Sequence, residues 1–296
     1  MNSSALVQGV KNQSRHAKWE LIQNISLSFP THHPQGLAYV GEYIFLSSVE
    51  VLEPPLNVFD PVNSTPGRGV GHMFVLDLDG KLLKDIIIGI GDMYHPGGID
   101  FDGTNVWVPV GEYRPGANSV MLSIDPKTFV ATERFRVKDS IGWAVSDGES
   151  GIVYGGNWGS REFYTWGHDG AERAHWCNPS SFIDYQDSQY VGNGLVICSG
   201  IAVLAQPTGS IGYELGGIAV VDFVNCRIIH EMPIQLFSQA GHVLTRNPFA
   251  LTCDLDYLYL HVAPDDGFDL NGTELLTYRA KYAEKYGDVP EFHEAI

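Results

Sequence analysis

Histidines stand at recurring places along this chain: His33 opens His33-Pro34-Gln35-Gly36, His95 opens His95-Pro96-Gly97-Gly98, and His242 follows Gly241. An imidazole titrates near neutral pH, so such residues can serve as acid, base or oxyanion donor. Arg161 and Arg246 add fixed cations. Asn157-Trp158-Gly159-Ser160-Arg161, followed by Phe163, Tyr164 and Trp166, sets aromatic surface beside one of them. That pairing suits an apolar or aromatic small-molecule substrate bearing an oxyanion. Glu50 and Glu112 each follow a second strand of their repeat, with Asn157 and Asp265 in corresponding places. Hard oxygen ligands of this kind could converge on calcium, although Arg114, Arg161 and Arg246 on the same side oppose a cation. Plainer readings stand beside these: turn-capping histidines, carboxylates in rim ion pairs, and Phe163 and Trp166 as core.

Other chemistries lack their residues. There is no Gly-x-Ser-x-Gly for serine catalysis, no Gly-x-Gly-x-x-Gly between a strand and a helix, and no Cys-x-x-Cys for a structural zinc.

What must position the histidines is a repeat of short strands. From His95 to Asp125 the chain reads as a tight glycine turn, an alternating run at Ile99–Phe101, an Asp102-Gly103 turn, a β-branched run at Val106–Val110, a polar loop and a third strand at Ser119–Ile124. A fourth strand follows at Ala131–Val137. Such a four-stranded unit has two faces to bury and needs neighbours, and ring closure of similar units gives a β-propeller. Repeats start near His33, His95, Ser140, Ser188 and Gly241. The expectation is an all-β, five-bladed β-propeller over residues 19–296, behind a loosely held tail at 1–18. The last repeat lacks a fourth strand, which Trp19–Phe29 can supply. A six-bladed ring would require splitting the long insertions, and a β-sandwich would leave the in-register Asp-Gly turns unexplained.

In a propeller the loops leading into the inner strands and those joining second to third strands open on one face. The first set holds His32, His33, His95, Trp143, Tyr190, His242 and Arg246. The second holds Glu50, Glu112, Tyr113, Arg114, Asn157, Trp158, Arg161, Gln206, Tyr213, Asp265 and Asp266. From these, His95, His242, Arg161 and Arg246 are the expected catalytic groups. His33, Glu112, Tyr113, Trp143, Trp158 and Tyr213 are the expected substrate-binding groups.

The chain has 296 residues and a formal net charge of -17, and its few cations form no stripe, which argues against nucleic-acid or anionic-membrane partners. No apolar run is long enough to span a bilayer, and the first residues lack the apolar core of a signal peptide. Sequons at Asn2, Asn12, Asn24, Asn63 and Asn271 and an even count of four cysteines fit a secretory history; chance sequons and free thiols fit equally. The sequence does not fix an oligomeric state.

The HPQG and HPGGIDFDG starts, the GNWGSREFYTWG segment and the GGIAVVDF strand resemble fungal β-propeller proteins of specialised metabolism, of the hetero-Diels-Alderase group that makes tropolone sesquiterpenoids. That resemblance implies an enzyme without metal or cofactor, which joins a tropolone quinone methide to a macrocyclic terpene alkene. His95 or His242 would assist loss of water from the tropolone precursor, and Arg161 or Arg246 would steady its oxygens. Trp143, Trp158 and Tyr113 would form apolar walls. Two alternatives follow from other propellers: a calcium-dependent lactonase or related hydrolase of the gluconolactonase-like kind, using Glu50, Glu112, Asn157 and Asp265, and a non-catalytic binding propeller.

Overall fold

The computed structural model describes residues 3–57, 60, 63–205 and 212–282. A short helix, α1 (Ser3–Lys11), precedes β1 (Trp19–Ser26). Blade one is β2 (His33–Val40), β3 (Tyr43–Glu53), β4 (Arg68–Asp77) and β5 (Leu82–Ile88). Blade two is β6 (Met93–Pro96) and β7 (Asp100–Phe101) as a broken inner strand, then β8 (Val106–Glu112), β9 (Ser119–Ile124) and β10 (Ala131–Val137). Blade three is β11 (Ile141–Asp147), β12 (Ile152–Asn157), β13 (Glu162–Gly167) and β14 (Glu172–Cys177). Blade four is β15 (Asp184–Tyr190), β16 (Leu195–Leu204), β17 (Tyr213–Asp222) and β18 (Arg227–Ile234). Blade five is β19 (Phe249–Cys253), β20 (Tyr257–Val262) and β21 (Glu274–Lys281), with β1 pairing antiparallel to β21 as its outer strand. The protein is a five-bladed β-propeller whose ring is closed by the N-terminal strand.

The inner three strands of each blade carry the cores, while the outer strand is the least buried. In β9 every residue is buried, whereas β10 buries chiefly Phe135. This gradient is what radial packing of blade on blade demands, because only the outer strand meets solvent. Blades are also tied by polar side chains. Asp102, at the Asp-Gly turn of blade two, accepts from the Trp107 indole at 2.7 Å and from Ser146 of blade three at 3.2 Å, and Ser146 lies 2.9 Å from His168.

The glycines after the two leading histidines have a steric cause. A Cβ at Gly36 would stand 2.6 Å from the Ile99 nitrogen, and one at Gly97 would overlap the Gly142 carbonyl. Inner strands of different blades touch there, and Gly98 donates to the Gly142 carbonyl at 2.9 Å. The contact is closed by Asp187. Its Oδ2 accepts from Leu37 N and Phe249 N at 2.9 Å each, and its Oδ1 from Ile99 N at 2.8 Å and Ser188 N at 2.9 Å. One fully buried carboxylate therefore binds inner strands of blades one, two, four and five. Burial pushes its pKa well above the usual carboxylate range, and the four N–H donors lower it only in part. They fill all four lone-pair positions and leave no place for a proton.

One expectation changes, and one open alternative is decided. Residues 1–2 lie outside the described part, and residues 3–18 do not form a loose tail, since Leu6 and Val10 of α1, one turn apart, are buried in the core of blades four and five. Their i, i+4 spacing is a helical face, hidden by Gly9, which packs against Tyr282. The cysteines are free thiols, Cys198 buried and Cys177 and Cys226 exposed.

Candidate functional site

Pairing slips by one residue near the start of four inner strands: between Pro34 and Gly36, Met93 and His95, Ile141 and Trp143, and Tyr185 and Asp187. Such bulges re-aim the side chains beside them. At this end of the ring they accompany His33 and His95, while the loops joining second to third strands bring Tyr113, Trp158 and Asp266. Arg246 arrives ahead of β19.

These six side chains gather at one mouth. His33 Nδ1 lies 2.6 Å from Asp266 Oδ1, and Arg246 Nη2 donates to Asp266 Oδ2 at 3.2 Å. Asp266 is 4% exposed by side chain, against 23% for His33 and 20% for Arg246, so a buried carboxylate orients two groups that reach solvent. Burial alone would raise the Asp266 carboxyl, but His33 and Arg246 outweigh it and hold the pKa below the usual range. With the carboxylate accepting at Nδ1, His33 Nε2 is left as the basic nitrogen. The His95 and Tyr113 rings stand 4.1 Å apart, the Trp158 indole lies 5.4 Å from Tyr113, and His95 and Trp158 are parallel within 10°. Burial, helped by the neighbouring His33, pushes His95 down to about 3, so it stays neutral at physiological pH. Burial and the nearby Asp266 raise the Tyr113 phenol, with Arg246 opposing. The mouth thus combines a flat aromatic shelf, an oriented base and a guanidinium.

Of the residues singled out in the sequence, His33, His95, Tyr113, Trp158 and Arg246 share this mouth. His242 lies beside it, with Nδ1 3.0 Å from Glu214 and Nε2 3.6 Å from Asp269. Glu112 is occupied locally by Arg114 at 2.6 Å and Asn118 at 2.8 Å. Arg161 is spent on structure, donating to Asp184 at 3.0 Å and to the carbonyls of Gly159 and Ser180. Trp143 is fully buried, its indole donating to Ser160 Oγ at 3.1 Å and packing on Gly156, so it walls no opening. Tyr213 is half exposed against Phe237, and Gln206 lies outside the described residues.

Tyr190 ends its strand rather than starting it, because β15 begins at Asp184. It therefore faces the opposite mouth, where a cavity of about 160 Å³ is lined by Tyr39, Asp100, Gln189, Tyr190 and Phe249, among others. There burial pushes the Asp100 carboxyl up to about 7.

The four expected calcium ligands do not converge. Among the described residues the groupings of metal-ligating side chains are His32, Glu50 and His72, and His242, Asp265 and Asp269, each with its ligating atoms within 4.8 Å of one another. Asp265 is held by Ser238 at 2.5 Å, and Asn157 accepts from the backbone of Arg161 and Glu162. No helix among the described residues is long and apolar enough to cross a membrane.

The family of unknown function DUF6454 matches residues 2–281. The chain belongs to that family. No curated protein matches the sequence. Among solved structures the chain is similar to the WD40 domain of Toxoplasma gondii coronin, at 9% identity and a TM-score of 0.45, covering 94% of this chain and 89% of that one. It is similar to a luciferin-regenerating enzyme at 10% identity and a TM-score of 0.46, covering 88% and 95%. A Bacteroides caccae protein of unknown function gives 10% identity and a TM-score of 0.45, covering 86% and 85%.

Proposed function

We propose that this DUF6454 propeller is a cofactor-independent enzyme whose upper mouth takes a flat, oxygenated aromatic substrate and moves a proton on it. The observation that carries this is the His33–Asp266 pair at 2.6 Å, with Arg246 on the other carboxylate oxygen. A histidine so oriented has its second nitrogen free as a base, and the guanidinium beside it suits an oxygen that becomes anionic. The Tyr113–Trp158 shelf supplies a stacking surface for a planar ring.

The resemblance to tropolone-sesquiterpenoid hetero-Diels-Alderases gives this chemistry a concrete form. His33 Nε2 takes the ring hydroxyl proton of a hydroxymethyl tropolone, the exocyclic C–O bond breaks, and the resulting imidazolium protonates the departing hydroxide to water. The quinone methide left behind forms one C–C and one C–O bond with a terpene alkene held against the shelf. The second step needs only orientation, which in favourable cases is worth about 7 kcal/mol or more. His95, neutral down to about pH 3, is a platform here rather than an acid or base.

The test is adduct formation, followed by chromatography and mass spectrometry, from a hydroxymethyl tropolone and a macrocyclic terpene. Wild type should exceed the uncatalysed rate, and His33→Asn should lower it about 100-fold, the usual scale of general base catalysis. An unchanged rate in His33→Asn overturns the assignment, and binding without turnover moves the protein to the class of non-catalytic propellers. A calcium-dependent hydrolase is the second reading, favoured by the His242, Asp265 and Asp269 grouping. Arg246 Nη1, 4.0 Å from Asp269, weighs against it, and loss of activity on chelation would support it.

A further inference from the structure

On the outer side of the same face, blade one holds a site that the proposed reaction does not use. His72 is buried in β4, and its Nδ1 lies 3.0 and 3.1 Å from the two oxygens of Asp85 on β5. Both oxygens of one carboxylate accept at that nitrogen, which fixes the proton there and leaves Nε2 presenting a bare lone pair. Nε2 is itself sealed from solvent and has no hydrogen-bond partner. Buried polar atoms of native proteins are nearly always satisfied, and an orphan facing other ligating groups calls for a missing partner.

The groups it faces are Glu50, with Oε2 at 3.8 Å, and His32, whose ring stacks on that of His72 at 5.0 Å and 18°. The Glu50 separation is too long for a hydrogen bond. His32 holds a left-handed backbone, φ 57°, with its carbonyl accepting from Gly267 N at 2.7 Å, which fixes the ring over the strand ends.

We propose that His32, Glu50 and His72 bind a divalent transition metal of the zinc type. Two imidazoles and one carboxylate select zinc, cobalt or nickel over calcium and magnesium, which favour all-oxygen sets. Asp85 is the outer-shell carboxylate that sets the tautomer and basicity of a ligating histidine. Three protein ligands leave a fourth position open, on the side where Glu50 meets solvent. Bonds of about 2.0 Å place tetrahedral ligand atoms about 3.3 Å apart, so Glu50 and His32 must draw in from separations of up to 4.8 Å. The grouping at His242 carries no comparable signal, since none of its ligating atoms is buried without a hydrogen-bond partner and the Arg246 cation adjoins it.

Chelator-stripped protein titrated with zinc in a calorimeter tests this, together with the visible spectrum on adding cobalt. The expected result is one zinc per chain and cobalt ligand-field bands of a low-symmetry site. Glu50→Gln, at a partly exposed position, should weaken zinc at least 10-fold, His72→Ala should abolish it, and Asp85→Asn should weaken it 10- to 100-fold. Circular dichroism checks that each variant is folded, and Glu50→Gln serves alone if His72→Ala is not. His242→Ala should bind as wild type does. The proposal is overturned if no zinc binds stoichiometrically, if Glu50→Gln binds unchanged, or if His242→Ala rather than Glu50→Gln removes the ion. Nitrogen-15 shifts showing a His72 imidazolium that zinc does not alter would assign the orphan instead to a Glu50–His72–Asp85 ion network.

Discussion

Replacing Asp187 with Asn changes one atom at the point where four inner strands meet. The carboxylate accepts four backbone N–H groups from Leu37, Phe249, Ile99 and Ser188 at 2.8–2.9 Å. An amide keeps one oxygen and turns an NH2 toward the other two donors, so two N–H groups are left facing N–H. Each unsatisfied buried donor costs about 1–3 kcal/mol, giving about 2–6 kcal/mol for Asn, and about 4–12 kcal/mol for Ala, which loses all four. Removing a buried charge returns part of this, because burial disfavours the ionised form. The donors outnumber that relief, and a net loss is expected. Against a typical total stability of about 5–15 kcal/mol, Asp187→Ala should fail to fold cooperatively. Asp187→Asn should melt about 3–10 °C below wild type in calorimetry and show a lower urea midpoint. A melting point within 1 °C of wild type would refute the reasoning. It would mean that water satisfies these N–H groups and that the carboxylate is no axial tie.

Asp100, raised by burial to about 7, should make stability fall with rising pH. Between about pH 4 and 7 the unfolded chain has released this proton while the folded chain retains it, so Asp100→Asn should flatten the loss over that window in melts run from pH 4 to 8. Leu6→Ala, in the helix packed against blades four and five, should cost about 2–4 kcal/mol in urea unfolding, whereas a loose tail would show no change. Trp143→Phe should cost about 1–3 kcal/mol through the lost Ser160 bond and indole volume, yet leave ligand affinity as it was.

Strand order and blade count were legible because Asp-Gly turns and alternating runs are local signals. Asp102-Gly103, Val106–Val110 and Ser119–Ile124 are read almost to the residue in the observed elements. The opening of blade four was not. Asp184-Tyr185-Gln186-Asp187 is too polar to resemble an inner strand, since three of the four donors to the Asp187 carboxylate are backbone of other blades. That missed start displaced Tyr190 to the wrong mouth. Arg161 and Trp143 have the right types for a site, but their environments are tertiary: a ring of carbonyls for one and a fully packed core for the other. Asp266 lay in an acidic pair with nothing local to mark it, and only the ring closure brings His33 and Arg246 to it. His72 sits mid-strand, where spacing gives no hint of His32 or Glu50.

The central claim is that the shelf and the guanidinium at the upper mouth hold a planar aromatic oxyanion. Calorimetric titration with tropolone, in wild type and in Tyr113→Ala, Arg246→Met and Arg161→Met, tests it most directly. One saturable site per chain is expected, weakened about 10-fold or more, roughly 1.4 kcal/mol, by each of the first two changes and untouched by the third. No saturable binding, or affinity lost in Arg161→Met and kept in Arg246→Met, would contradict the account.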